Sequence, residues 1–411
     1  MTQIKPFKAI RPSRDKAYLV ATRPYYAYKK HVLEAKLETN PYTFLHVIQP
    51  EFHEKVQTAS NSIERYQKSR KKLNEFIAEG TFVKDEEPTL YVYRQTKNGH
   101  AFLGIIGGAS VEQYNNGHIK KHEATITSRE KHFSDYLRVV ECNAEPVLLF
   151  HREHDKLTAL LQDIAQERPE YEFSTTEKIK HEVWLISDLL NLTKIQSYYS
   201  ELNDVYIADG HHRCASAARY AEEVNANLNG IRGHFLAYFI SEKNMEIVDY
   251  NRLVNDLNEL DTEAFLNKLR DKFRVTPVYA IEKHQRQQKH ILLYIENGWW
   301  NIEVPANMVD NSDVVNSLDT AILTNELLDP ILDIQDLKTD ERISFIHGKK
   351  GLEGIEEKVN NGDAICGFAL CPVTVEQLKA VADNNRIMPP KSTWIEPKLR
   401  SGLTMYPLNH D

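Results

Sequence analysis

Cysteine is scarce in this chain: four in 411 residues, Cys142, Cys214, Cys366 and Cys371. No two of them form a Cys-x-x-Cys pair, so neither a structural zinc site nor a disulfide framework is expected, and the thiols read as ordinary cytosolic ones. Long apolar runs are missing as well. No stretch of about 18 apolar residues offers a membrane span. The opening Met1-Thr2-Gln3-Ile4-Lys5-Pro6-Phe7 has no apolar signal core, so a cytoplasmic protein with no membrane partner is expected. Basic charge is not in excess either: 51 Lys and Arg stand against 59 Asp and Glu, a net charge of −8. Phosphate-backbone binding draws on a concentrated basic surface, so no nucleic-acid partner is expected. Internal repeats, low-complexity tracts and Pro/Ser-rich linkers are absent too.

What remains is an ordinary globular composition, 41% hydrophobic and 27% charged. At this length two or three domains are expected. The elements suggest an N-terminal α/β extension over 1–115, a middle segment over 116–250 and a C-terminal α/β segment over 251–411. Helical spacing of Val56, Ala59, Ile63, Tyr66, Leu73 and Ile77 predicts a helix from Glu54 to Ala78, ended by Gly80. The basic run Lys68-Ser69-Arg70-Lys71-Lys72 reads as a solvated face of it. Asn98-Gly99 and Asn297-Gly298 each separate two strand-like runs, a hairpin signal because both residue types tolerate positive φ. Ala364 to Leu370 reads as a buried strand leading to a capping box, Thr374-x-x-Gln377. Helices alternating with strands and hairpins give an α+β class.

Chemistry concentrates in Asp209-Gly210-His211-His212-Arg213, between the strand-like Asp204–Ala208 and a helix from His211 to about Glu223. Gly210 permits a sharp turn, and the helix start behind it offers free N–H groups and a positive dipole end to phosphate. Arg213 adds a planar fork for phosphate oxygens. Three cationic or donor side chains in a first turn run against the helix field, which a bound anion would justify. Asp209 is then free to orient a histidine, hold Mg²⁺ or accept a proton; as a bare N-cap it would do none of these. Glu123, in Lys120-Lys121-His122-Glu123, is a candidate general base, or else part of a salt-bridged helix start. Lys391-Ser392-Thr393 follows Met388-Pro389-Pro390 and lacks the Gly-x₄-Gly-Lys frame of a P-loop, yet a lysine and two hydroxyls in a stiff loop suit an anion. His211 and His212 point in different directions from adjacent helix positions, so no residue is assigned as a metal ligand.

Asp209-Gly210-His211-His212-Arg213 after a strand resembles the phosphate-binding signature of the ParB/sulfiredoxin superfamily, and most of all its ADP-dependent free serine kinase branch. Lys121-His122-Glu123, Glu145-Pro146-Val147-Leu148-Leu149, Ala364 to Leu370 and Pro390-Lys391-Ser392-Thr393 extend the likeness over roughly 116–403. Residues 1–115 resemble instead a widespread uncharacterised bacterial family with the same five-residue core, through Ile4-Lys5-Pro6-Phe7, Phe44-Leu45-His46-Val47 and Tyr91-Val92-Tyr93-Arg94-Gln95. The resemblance implies a ParB/sulfiredoxin-like core, with Glu123 activating a serine hydroxyl and Asp209 as second catalytic carboxylate. It implies phosphate or nucleotide contacts at Gly210, His211, His212, Arg213, Lys391, Ser392 and Thr393. The implied substrates are free L-serine or O-phosphoserine and ADP or ATP, with Mg²⁺. Sulfiredoxin-like members have cysteine where His211 stands, so sulfinic acid reduction is not expected, and the Glu-Arg-Arg motif of the partition proteins is absent. Two other readings stand beside phosphoryl transfer: a nucleotide-binding switch without turnover, and a phosphoserine phosphatase.

Overall fold

Eight strands between residues 90 and 241 build the sheet on which the Asp209 turn is mounted. In chain order they are β1 (Leu90–Lys97), β2 (His100–Ser110), β3 (Ile119–Lys120), β4 (Val147–His151), β5 (Tyr171–Ser174), β6 (Lys180–Ile186), β7 (Val205–Asp209) and β8 (His234–Ser241). Across the sheet they run β3-β7-β4-β8-β2-β1-β6-β5. β7 is parallel to β3, β4 is parallel to β8, and the other neighbours are antiparallel. The computed structural model describes residues 1–279 and 286–409.

This sheet belongs to a compact unit formed by Met1–Met245 and Pro397–Asp411; a second unit spans Glu246–Glu396. The three expected segments therefore divide the chain differently from its folding. Residues 1–115 and 116–250 share one sheet, since Phe235 of β8 pairs with Ala109 of β2. The chain's last stretch returns to the same unit, where Met405 pairs with Ile10.

Three helices of the first unit matter for the site: α1 (Ile63–Ala78), α2 (Thr127–Val140) and α3 (His211–Glu223). α2 packs against both α1 and α3. α1 begins nine residues later than its apolar spacing suggests. Ser62 caps it by accepting from the Arg65 N–H, Asn61 just before has φ 64°, and Val56 is 82% exposed. An N-cap hydroxyl thus outranks a continued apolar pattern. Beneath α1, Tyr66, Leu73 and Phe76 join Phe44, Phe82 and Met405 in one apolar cluster.

The second unit has its own antiparallel sheet, order β10-β12-β11-β14-β9-β13, from β9 (Tyr250–Val254), β10 (Arg274–Val278), β11 (His290–Ile295), β12 (Gly298–Glu303), β13 (Ile343–His347) and β14 (Cys366–Ala369). Phe265, Leu293, Leu327 and Phe368 lie in its core. A mixed sheet in one unit, an antiparallel sheet in the other and helices packed on them make the chain α+β. Asn98 and Gly99 turn the β1–β2 hairpin with φ 52° and 80°, as their sequence suggests. The second hairpin is displaced by one residue. Ile295 pairs with Gly298, so Glu296 (φ 46°) and Asn297 (φ 61°) make the turn and Gly298 opens β12. The Thr374–Gln377 capping box forms and starts the helix Val375–Asp383.

Candidate functional site

Val205–Ala208 is buried, and β7 is held between β3 and β4 with a register shift between Ile207 and Asp209. Such irregularities re-aim a strand's last side chain. Gly210 follows at φ 104°, ψ 28°, and a Cβ there would meet the Arg213 guanidinium at 3.0–3.2 Å. Glycine is needed for both reasons. α3 then buries Cys214, Ala215, Ser216, Ala217, Ala218 and Ala221. Its small residues let the helix start sit close to the sheet. The N-cap of α3 is Gly210, which has no side chain to cap it, so the first-turn N–H groups suit an anionic acceptor.

His211 is buried, and its two ring nitrogens face two parts of the loop between β3 and α2. The His122 backbone N–H donates to Nε2 at 3.4 Å, and Nδ1 lies 3.4 Å from Glu123 Oε2. Burial pushes the His211 imidazolium well below the ordinary histidine range, and the fields of His122, His212, Lys121 and Arg213 push the same way. A neutral ring that accepts on Nε2 carries its proton on Nδ1, the nitrogen that faces Glu123. His212 Nε2 accepts from the Ile126 N–H at 3.1 Å. The two histidines expected to grip phosphate thus each use a ring nitrogen to fasten this loop to the start of α3. Glu123 itself lies in the loop and not at a helix start, with its side chain 42% exposed.

Arg213 is not an open anion fork. It reaches Glu145 Oε1 at 2.6 Å, Asp209 Oδ2 at 3.0 Å and the Pro146 carbonyl at 2.6 Å. Asp209 also meets Lys398 at 3.6 Å. Burial alone would raise the Asp209 carboxyl, but Lys398 and Arg213 outweigh it and hold the group below the usual carboxylate range. Burial likewise opposes the Arg213 charge, and Glu145 and Asp209 more than compensate. Asp209 is therefore an ionised carboxylate braced by two cations, a state suited to orienting a donor or meeting a metal–phosphate complex.

Lys391, Ser392 and Thr393 belong to the second unit. Buried Arg252 donates to the carbonyls of Tyr250, Lys391 (3.0 Å) and Pro390 (3.4 Å). Lys391 is exposed with φ 60°. Ser392 departs from its expected role: it is buried, donates to the Pro389 carbonyl at 2.7 Å and meets Thr320 Oγ1 at 3.1 Å. Its hydroxyl braces the loop from within, because a buried hydroxyl must find partners locally.

Reading the sequence missed Glu145 and Lys398 as partners of the site, and it passed over His122. That ring is 1% exposed, lies 4.4 Å from the His211 ring in a T-shaped contact, and is pushed down to about 4 by burial. Ligand atoms of His122, Glu123 and His211 fall within 4.8 Å of one another, a spacing a metal ion could bridge. A cavity of about 640 Å³ opens along α3, lined by Tyr114, Lys121, Thr125, Glu130, Arg219 and Glu223 among others. Burial depresses the Lys121 ammonium, whose Nζ lies 3.7 Å from the Tyr114 ring centroid.

Comparison with known proteins gives distant structural neighbours. A free serine kinase in complex with AMP is 14% identical, with TM-score 0.37, covering 72% of this chain and 88% of that one. A mutant of a free serine kinase in complex with ADP scores the same TM-score at 13% identity, over the same shares of the two chains. SbnI with a C-terminal truncation, from Staphylococcus aureus, is 10% identical with TM-score 0.39, covering 74% of this chain and 90% of that one. No curated protein matches the sequence. One family model does match, over residues 4–321, well beyond half of the chain: the protein is a member of the DUF1015 family, described as a protein family of unknown function.

Proposed function

We propose that the chain is a small-molecule phosphotransferase acting on free L-serine or O-phosphoserine with ADP or ATP. The observation that carries this reading is Glu123, a half-exposed carboxylate held by His211 beside a helix start whose N-cap is a glycine. The phosphoryl group to be transferred would rest on the first-turn N–H groups of α3. Glu123 would take the proton of the serine hydroxyl while that oxygen forms its bond to phosphorus, and the bond from phosphorus to the nucleotide oxygen breaks. Mg²⁺ arriving with the nucleotide would neutralise phosphate charge, and Asp209 is the oxygen ligand best placed by chemistry to meet it. In this reading His211 and His212 fix the loop that carries Glu123, while Lys391 and Thr393 remain candidate phosphate contacts on their own braced loop.

A second reading draws on Arg213. With Glu145 and Asp209 both on its guanidinium, a nucleotide phosphate would have to exchange partners with them, which is the behaviour of a binding switch without turnover. A transfer assay with serine or phosphoserine, ADP, ATP and Mg²⁺, followed in both directions, separates the two. Phosphoserine formation, or its reversal onto a nucleotide, supports the transferase. Nucleotide binding without conversion supports the switch. Release of inorganic phosphate from phosphoserine with no nucleotide present would make the protein a phosphatase.

A further inference from the structure

Among the described residues, His122 is a buried imidazole with both ring nitrogens lacking a hydrogen-bond partner. Buried polar atoms are paired as a rule, and an exception asks for an unseen ligand. Its surroundings offer one. His211 and Glu123 bring ligand atoms within 4.8 Å of it and of each other. Two imidazoles and one carboxylate form a donor set for first-row transition ions. Mg²⁺ and Ca²⁺ prefer oxygen alone.

The geometry points to a transition-metal site in which His122, Glu123 and His211 bind one divalent cation of the zinc class. This goes beyond the phosphoryl-transfer reading and does not depend on it, since the ion is distinct from any Mg²⁺ carried by a nucleotide. Three protein ligands leave a fourth tetrahedral position for water or a substrate oxygen, the pattern of sites that act on bound molecules. Glu123, 42% exposed, marks the side from which such a molecule would approach. Asp209 supplies negative field at the His122 ring, and the Glu123 carboxylate lies 3.4 Å from His211 Nδ1. At His211 the charges of Lys121 and Arg213 oppose a cation, but Arg213 is already matched by Glu145. Coordination through His211 Nδ1 moves the ring proton to Nε2 and gives up the 3.4 Å contact from the His122 amide. That contact is long, and one long hydrogen bond is a small loss against metal coordination. A carboxylate bound through one oxygen keeps the other, so Glu123 would still have an oxygen facing substrate.

The test is equilibrium binding of Zn²⁺ to the metal-stripped full chain, with no nucleotide or serine present, alongside Co²⁺ as a spectroscopic probe. One Zn²⁺ per chain is expected for the wild type, with about a hundredfold weaker binding in His122→Gln and Glu123→Gln. Co²⁺ is expected to show the visible bands of a low-coordinate nitrogen–oxygen site, and an equal concentration of Mg²⁺ should not displace it. Should His122→Gln fail to fold, the Glu123→Gln arm decides, because that side chain is half-exposed. Equal Zn²⁺ affinity of wild type and Glu123→Gln, no Zn²⁺ uptake by the wild type, or displacement of Co²⁺ by Mg²⁺ each overturns the site. Absence of phosphoryl transfer leaves it standing, because no step of the titration involves turnover.

Discussion

The Nδ1 atom of His211 stands 3.4 Å from Oε2 of Glu123, so the histidine of the helix start holds the carboxylate of the neighbouring loop. If Glu123 removes a proton in phosphoryl transfer, Glu123→Gln lowers kcat by about 10²–10⁴-fold, the span of general base catalysis. Nucleotide affinity stays near the wild-type value. His211→Phe keeps the ring volume but releases the carboxylate and the His122 amide, and is expected to lower kcat while Glu123 remains in place. Steady-state transfer kinetics with calorimetric nucleotide binding check both.

Arg213→Ala removes the guanidinium that lies 2.6 and 3.0 Å from Glu145 and Asp209, leaving Glu145 with the Ser401 hydroxyl and Asp209 with Lys398. The Arg213 and Glu145 side chains are 22% and 27% exposed, so loss of their charge-assisted hydrogen bond is expected to cost about 1.5–3 kcal/mol. Urea unfolding with a probe in the first unit measures it. Double replacement of Arg213 and Glu145 by apolar residues should recover part of that loss, since Glu145 is then no longer left without its partner.

Gly210→Ala places a Cβ at φ 104° and 3.0–3.2 Å from the Arg213 side chain. The backbone strain alone costs about 1–3 kcal/mol. Displacement of Arg213 should add to it, so the thermal midpoint falls and Arg213→Ala in the same background costs less than in the wild type. Thermal unfolding of the two single variants and the double variant reads this coupling directly.

His181 sets an acid limb of stability. It is fully buried between Phe173 and Tyr93, its Nδ1 is 2.7 Å from the Tyr93 hydroxyl, and burial with the nearby Arg400 charge lowers it to about 3. An unfolded histidine titrates near 6.5. Between those values the unfolded chain binds the proton and the folded chain does not, so stability rises with pH across that window and falls as pH drops through it. His234, lowered to about 4 by burial, acts in the same direction. Replacing His181 with Phe should flatten the pH dependence of the unfolding free energy between pH 4 and 6 by nearly one proton's slope. Denaturant titrations across that range measure it.

Local grammar was legible in the sequence where one residue type dominates one backbone choice. The Asn98-Gly99 turn, the Thr374 capping box and the His211–Glu223 helix form where residue chemistry places them. The start of α1 was not, because Ser62 ended an apolar spacing that periodicity alone would have carried back to Glu54. Glu145 and Lys398 were invisible as partners of Arg213 and Asp209, since their meeting depends on strand order and on a chain return of nearly 190 residues. Spacing also gave no hint that Ser392 turns inward. His122 had a signal of its own, a histidine beside the candidate base, but only its burial shows that both nitrogens lack partners.

Because Pro397–Asp411 is built into the same unit as Met1–Met245, the amino-terminal half cannot complete itself while the ribosome is still translating the intervening 151 residues. Lys398 beside Asp209, and Met405 beside Ile10, arrive only after the whole second unit has been made. A nascent chain would hold an unfinished cluster of carboxylates until Lys398 emerges, so a chain cut at residue 396 loses a cation from the site and a plug from the core together.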